Sequence, residues 1–158
     1  MNRDRPVPRM PVLLSALVAL TLAIVPLPGV VDRLRPDFLV LVVYYWSIEA
    51  PSAGGLTLAF VAGLAIDVSR GVVLGEHALA LTLTAAWAMH LRLRIRVFSI
   101  PKQALTIFGL LATYQFILFW IDGATGYPVT DWSRWLGPFI GAAIWPLVVA
   151  TLRRLHER

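Results

Sequence analysis

The sequence has no cysteine and few charged residues. Without cysteine the chain can form no disulfide, no thiolate zinc site and no cysteine nucleophile. Only 15% of its 158 residues are charged and 58% are hydrophobic, whereas soluble domains average about 25% charged and about 45–50% apolar residues. Because the apolar residues are gathered in runs, the composition indicates an integral membrane protein.

The chain also lacks the short motifs of the common enzyme classes. It has no Gly-x-Ser-x-Gly elbow, no His-Glu-x-x-His pair and no Gly-x-x-x-x-Gly-Lys phosphate loop. The histidines are scattered, at His77, His90 and His156. We therefore predict no catalytic residue, no metal and no cofactor, and a protein that is not an enzyme.

Six apolar runs predict a single all-α transmembrane domain over residues 10–152. The predicted spans are about 10–27, 38–48, 56–69, 78–91, 103–121 and 135–152. A short basic segment, residues 1–9, precedes them, and a basic tail, residues 153–158, follows. The middle spans are short, which is typical of helices inside a bundle or beside a partner. We expect the aromatic residues that end the second span to lie at the membrane interface: Tyr44, Tyr45 and Trp46.

The basic residues predict the orientation of these spans. With six spans and both termini in the cytoplasm, ten basic residues lie inside and four outside, as the positive-inside rule requires. A cluster follows the fourth span: Arg92, Arg94, Arg96 and Lys102. We interpret this cluster as a basic hinge that contacts anionic lipid headgroups, because no nucleic-acid-binding module accompanies it.

Small or polar residues recur every four positions around the third span. They are Ala59, Gly63, Asp67, Gly71 and Gly75. Such a stripe lets another helix approach closely in a membrane. Asp67 is costly within a span, so one interpretation is a packing stripe in which Arg70 pairs with Asp67. The other is a ligand or partner site. Gly137 and Gly141 form a second close-packing pattern in the sixth span.

Several of these segments together resemble one family. Arg35-Pro36-Asp37 opening an apolar run, the stretch from Ala59 to Asp67, and the turn from Gly71 to Leu79 resemble the rod shape-determining protein MreD. The basic stretch from Arg92 to Phe98 and the Tyr114-Gln115 pair resemble it too. The departure is Glu76, where an uncharged polar residue is expected.

The resemblance implies a bacterial inner-membrane scaffold of the elongasome that is not an enzyme. It would maintain rod cell shape by organising lateral peptidoglycan synthesis. Members of the family pair with MreC, and through it connect MreB filaments to RodA and its penicillin-binding transpeptidase. The family fold is similar to the six-helix substrate-binding component of energy-coupling-factor transporters.

The resemblance also assigns positions to its motif residues. Arg35, Pro36 and Asp37 would start the second span at the periplasmic face, with Pro36 in the first helical turn. Asp67, Gly71, Gly75 and His77 would form a turn on the same face. The candidate contact surfaces for MreC are Gly63, Asp67 and the Gly137/Gly141 pattern.

Two other functions remain open. A small-molecule or lipid binding or transport component would need a polar, aromatic-lined cavity, which could be lined by Tyr44, Tyr45, Trp46, Glu49, Asp67 and Gln115. A membrane aspartyl hydrolase would need a second carboxylate facing Asp67, supplied by Glu49, Asp37 or Glu76.

Overall fold

The computed structural model describes residues 7–128 and 131–157, without the side chain of Arg33. Within these ranges the chain is helical and has no strand. The elements are α1 (Arg9–Ile24), α2 (Gly29–Arg33), α3 (Phe38–Glu49), α4 (Gly55–Arg70), α5 (Glu76–Val97), α6 (Ile100–Thr125), a 3₁₀ helix (Trp132–Trp135) and α7 (Leu136–His156). Of the two predicted basic ends, residues 1–6 and Arg158 lie outside the described part.

A helix lies over each of the six predicted apolar runs, but several bounds differ from prediction. The largest difference is in α5, which continues to Val97. Arg92, Arg94 and Arg96 therefore lie on the last turns of a helix, so the predicted hinge is wrong for these three arginines and is confined to the break between Arg96 and Lys102. The chain breaks instead at Phe98 and Ser99, and α6 then begins with a proline in its first turn, where the missing N–H costs no hydrogen bond.

α3 is the central helix of the bundle. It contacts α1, α4, α5 and α7, and all ten residues from Leu39 to Ile48 are buried. A helix that is apolar on every side is buried in this way because no face favours water. It ends at Glu49 with Ala50 as its C-cap, because Pro51 disfavours a helical conformation in the residue before it.

The aromatic residues at the end of α3 are core residues, so their predicted place at a membrane interface is wrong. Tyr44 and Trp46 are fully buried, and Tyr45 is 4% exposed. The Tyr44 hydroxyl donates to Thr84 Oγ1 at 2.8 Å, and Trp46 Nε1 donates to Ser15 Oγ at 2.8 Å. These partners satisfy the polar tips that would otherwise favour water.

The outer surface of the bundle is strongly apolar. Two stretches are long and apolar enough to cross a membrane, judged by length and composition: Ile100–Thr125 and Trp132–His156. α1 and α3 are shorter apolar helices. Large apolar side chains are exposed along α1, α6 and α7, among them Leu13, Leu17, Leu105, Phe116, Phe139 and Leu147. This surface is compatible with a membrane protein.

The bundle has two ends, which we name by one residue each. At the Asp67 end, the end of α4 meets the start of α3 through Arg70 and Asp37, and the end of α6 meets the 3₁₀ helix. At the Arg96 end, Arg96 lies 3.6 Å from Glu49. The described arginines at the ends of α5 and α7, and Lys102 at the start of α6, lie at the Arg96 end.

Candidate functional site: a buried polar network at the Asp67 end

The turn between α4 and α5 depends on two glycines. Gly71 ends α4 with φ +64° and Gly75 precedes α5 with φ +100°. Both are left-handed conformations that glycine adopts without strain. A Cβ at either position would meet no atom within 4 Å, so backbone conformation rather than space requires glycine here. This turn folds α5 back along α4.

Gly63 lies at a close approach between α4 and α5. A Cβ on Gly63 would lie 2.3 Å from Ala78 Cα and 2.6 Å from Ala78 N. Ala59 and Asp67, one turn to either side, are buried as well. The small-residue stripe on α4 therefore packs against the chain's own α5. A partner contact at Gly63 stays a prediction, and it would require this hairpin to open.

The Asp67 carboxylate accepts hydrogen bonds from the first turn of α5. Oδ2 accepts from Gly75 N–H at 2.8 Å and from Ala78 N–H at 3.5 Å. Oδ1 accepts from His77 N–H at 2.8 Å. A carboxylate at a helix N-terminus satisfies orphan amides and opposes the positive end of the helix dipole. The predicted Asp67–Arg70 pair is wrong, because the amides of α5 occupy the carboxylate.

His77 extends the network from Asp67 to Arg70. Its Nδ1 lies 2.8 Å from Asp67 Oδ1 and its Nε2 lies 3.4 Å from Arg70 Nη1. A carboxylate requires a proton on Nδ1 and a guanidinium requires a lone pair on Nε2, so these partners assign one neutral tautomer. Arg70 Nη2 then donates to Asp37 Oδ1 at 2.9 Å. The network thus joins α3, α4 and α5.

Arg35 attaches the end of α1 to the same region. Its guanidinium donates to the carbonyls of Ala23, at 2.7 Å, and of Val25, which α1 leaves unpaired at its C-terminus. Pro36 lies two residues before α3, so its predicted place in the first helical turn is wrong. Of the predicted periplasmic motif, the structure brings Arg35, Asp37, Asp67 and His77 to one end.

A second group of charged residues, Glu76, Asp122 and Arg134, lies beside this network. Arg134 Nη1 donates to Asp122 Oδ2 at 2.5 Å, and the buried Oε2 of Glu76 has no hydrogen-bond partner in the described part of the chain. Glu76 precedes the fourth predicted span. Burial above all, with the Asp122 carboxylate close by, raises the pKa of Glu76 to about 7. No spacing in the sequence indicates this group, because its members come from separate segments that only the folded turns bring together.

The remaining predicted residues lie elsewhere. Gly141 faces α6, and a Cβ added to this glycine would lie 2.5 Å from Leu111 Cδ1. The glycine therefore allows α6 and α7 to pack closely. Gly137 faces Gln115, and a Cβ on this glycine would lie 3.7 Å from Gln115 Nε2. Arg94, Arg96 and Lys102 are exposed at the Arg96 end and Arg92 is half-buried. Their contact with lipid stays a prediction.

The network offers no free catalytic group at Asp67. The side chain is 1% exposed, and backbone amides and His77 occupy both oxygens. Within residues 7–128 and 131–157, no three side chains of His, Cys, Asp or Glu are grouped to hold a metal ion. The arrangement positions helices and neutralises charge at one end of the bundle.

These features define a class: a helical bundle of membrane type with a buried polar network at one end. The model of one family, described as rod shape-determining protein MreD, matches residues 5–155. The chain therefore belongs to the MreD family, which confirms the predicted resemblance and supports a role in determining rod shape.

A curated relative agrees with the family match. The chain is 27% identical over 142 residues to the rod shape-determining protein MreD of Haemophilus influenzae (strain ATCC 51907 / DSM 11121 / KW20 / Rd), covering 90% of this chain and 88% of the relative. No solved structure matches the chain. The predicted likeness to the energy-coupling-factor component stays a prediction.

Proposed function

We propose that this chain is a non-enzymatic scaffold of the bacterial inner membrane, and that it pairs with MreC to organise lateral peptidoglycan synthesis. Through MreC it would connect to MreB, RodA and the penicillin-binding transpeptidase. Family membership and the apolar outer surface support this function. The observation that carries it is the saturated Asp67 network, which ties helices together and leaves Asp67 no catalytic role.

The proposed topology has six spans with both termini in the cytoplasm. Charge asymmetry between the two ends supports it. The arginines described at the Asp67 end are each paired with a carboxylate: Arg35 with Asp32, Arg70 with Asp37, and Arg134 with Asp122. The Arg96 end carries exposed basic residues, which the positive-inside rule places in the cytoplasm.

Reporter fusions test this topology. Green fluorescent protein fused after Phe98 should fluoresce, because this break would be cytoplasmic. Alkaline phosphatase fused after Tyr127 should be active, because that turn would be periplasmic. The reverse pattern at both positions would overturn the topology and the assignment of the Asp67 end to the periplasm.

The partner surface is proposed on the exposed apolar faces of the bundle, since Gly63, Asp67 and Gly141 are enclosed. A photo-crosslinking amino acid should be placed in matched pairs on three helices, one exposed and one buried position each. The pairs are Leu17 and Val12 on α1, Leu105 and Ile107 on α6, and Leu147 and Val149 on α7. We expect at least one exposed position to capture MreC and its buried control to capture none.

Depletion and complementation test the function itself. Cells depleted of the chain should lose rod shape, and the wild-type gene should restore it while MreC co-purifies with the chain. Restoration of rod shape by a chain that never co-purifies with MreC would refute the proposed pairing. The carrier alternative in its predicted form is weakened, because Tyr44, Tyr45 and Trp46 are core residues.

A further inference from the structure

A polar cavity of about 520 Å³ opens at the Asp67 end. Its volume lies in the usual range of small-molecule sites, about 300–1,000 Å³. The wall is built by the end of α1, the stretch from Asp32 to Asp37, the end of α4, α6, and the stretch from Asp131 to Gly137 that includes the 3₁₀ helix. Of the residues predicted to line a ligand cavity, Gln115 alone lines this one.

Gln115 lines the cavity from α6, opposite Gly137 near the start of α7. The residue is only 9% exposed, and its amide makes no hydrogen bond to any described residue. Because Gln115 lines the cavity and its amide is not used elsewhere in the described part, the amide can donate to and accept from a bound group.

The wall carries charges of both signs. Arg35, Arg70 and Arg134 line the cavity together with Asp32, Asp37 and Asp131. The arginines are already held in place by hydrogen bonds, yet Arg134 uses only one of its five N–H donors in the described contacts. Fixed side chains of this kind lower the ordering cost of binding.

We propose that this cavity binds a zwitterion, a group that carries a protonated amine together with a carboxylate or phosphate. A purely anionic ligand would meet three carboxylates, and a purely cationic ligand would meet three guanidiniums. A ligand with both charges can place its anion against Arg70 or Arg134 and its ammonium against Asp37. The Gln115 amide can donate to the anionic end or accept from the ammonium.

The same chemistry could come from a free amino acid or short peptide, or from the headgroup of an ethanolamine phospholipid. Two arms of one experiment distinguish these sources. The full chain, purified in dodecyl maltoside, is titrated with trialanine, and separately with N-acetyl-trialanine amide, whose ends are uncharged. Native mass spectrometry then compares retention of phosphatidylethanolamine with that of phosphatidylglycerol.

We expect binding of trialanine but not of the blocked peptide, or retention of phosphatidylethanolamine at least tenfold over phosphatidylglycerol. The first result identifies a solute site and the second a headgroup site. The proposal is overturned when neither zwitterion binds, or when the blocked peptide binds as tightly as the free one.

Two variants assign the binding to this cavity. Gln115→Leu keeps the size of the side chain and should weaken binding at least tenfold. Gly137→Leu places a side chain opposite Gln115 and should abolish binding. The matched control is Gly109→Leu on α6, where a Cβ would meet nothing within 4 Å, and it should bind as wild type does. Equal binding by Gly137→Leu and wild type would place the ligand elsewhere and refute the site, whether or not MreC co-purifies.

Discussion

Replacing Gly63 by alanine should destabilise the bundle by forcing two helices apart. The added Cβ would lie 2.3 Å from Ala78 Cα and 2.9 Å from the carbonyl carbon of His77, whereas non-bonded carbons prefer about 3.5–4.0 Å. The clash is with backbone, so α4 and α5 must separate by roughly 1 Å or more to restore that contact distance. Overpacking usually costs about 1–3 kcal/mol, and more where nothing can yield. We expect a loss of about 3 kcal/mol, at the upper end of that range.

Thermal unfolding of the purified chain, followed by circular dichroism, measures this loss. The expected loss of stability should lower the unfolding midpoint of Gly63→Ala by roughly 6–12 °C for a chain of this length. Gly109→Ala is the matched control, because it adds the same methyl group to open space and should not lower the midpoint. Adding Ala78→Gly should not rescue Gly63→Ala, because the clashing atoms belong to the backbone. Equal midpoints for Gly63→Ala and Gly109→Ala, or full rescue by Ala78→Gly, would refute this account of the hairpin.

Three further substitutions test the polar network by the same unfolding measurement. Asp67→Asn replaces one carboxylate oxygen by an NH₂ group, so the donors that now use two oxygens would have to share one. The free energy of unfolding should fall by about 1–3 kcal/mol, and an unchanged midpoint would contradict the network. Arg70→Gln should cost less than about 1 kcal/mol, because the Arg70 side chain is half exposed in its pair with Asp37; a larger loss would mean that this pair is not solvated. Glu76 has its pKa raised from 4.5 to about 7 by burial, so between these values the folded chain keeps a proton that the unfolded chain releases. Stability should therefore fall as pH rises from about 4.5 to about 7, and Glu76→Gln should remove that fall; parallel pH profiles would refute it.

The sequence predicts the helices well because apolar runs and helix-breaking residues are local signals. The two glycines of the α4–α5 turn are also local, since a left-handed backbone favours glycine wherever it occurs. Burial of α3 follows from a run with no polar face. The position of the aromatic residues at its end is harder to predict, because two rules compete there. Tyrosine and tryptophan favour a membrane interface, but they also favour a core that supplies partners, and Thr84 and Ser15 are distant in sequence.

The partner of Asp67 could not be predicted from spacing alone. Arg70 follows it by three residues on the same helix face, which favours a local ion pair. The turn instead brings the unpaired amides of the first α5 turn to the carboxylate. Several amides together with the helix dipole outweigh one half-exposed guanidinium. The cavity at the same end could not be predicted from the sequence either, because its wall comes from five separate segments of the chain.

Charge differs between the two ends of the bundle, and we expect the polar network to affect the orientation of the chain as well as its stability. In the proposed topology, exposed arginines at the Arg96 end set the orientation of the chain, and we expect pairing of the arginines at the other end to keep them from competing, with a small effect because acidic residues carry little weight in the positive-inside rule. Each described arginine at the Asp67 end is bound by a carboxylate or by carbonyls, and Asp67 itself is occupied by α5. Asp37→Asn should therefore leave the fold intact but free the charge of Arg70.

In the topology assay, Asp37→Asn should weaken the bias between the two reporters only slightly, because an unpaired Arg70 would oppose the arginines of the Arg96 end but acidic residues contribute little to the positive-inside rule. Asp32→Asn is the matched control. Its carboxylate lies 3.6 Å from the Arg35 guanidinium, which carbonyls also hold, so this variant should change the bias less. An unchanged bias in both variants would show that the arginines at the Asp67 end play no part in orientation.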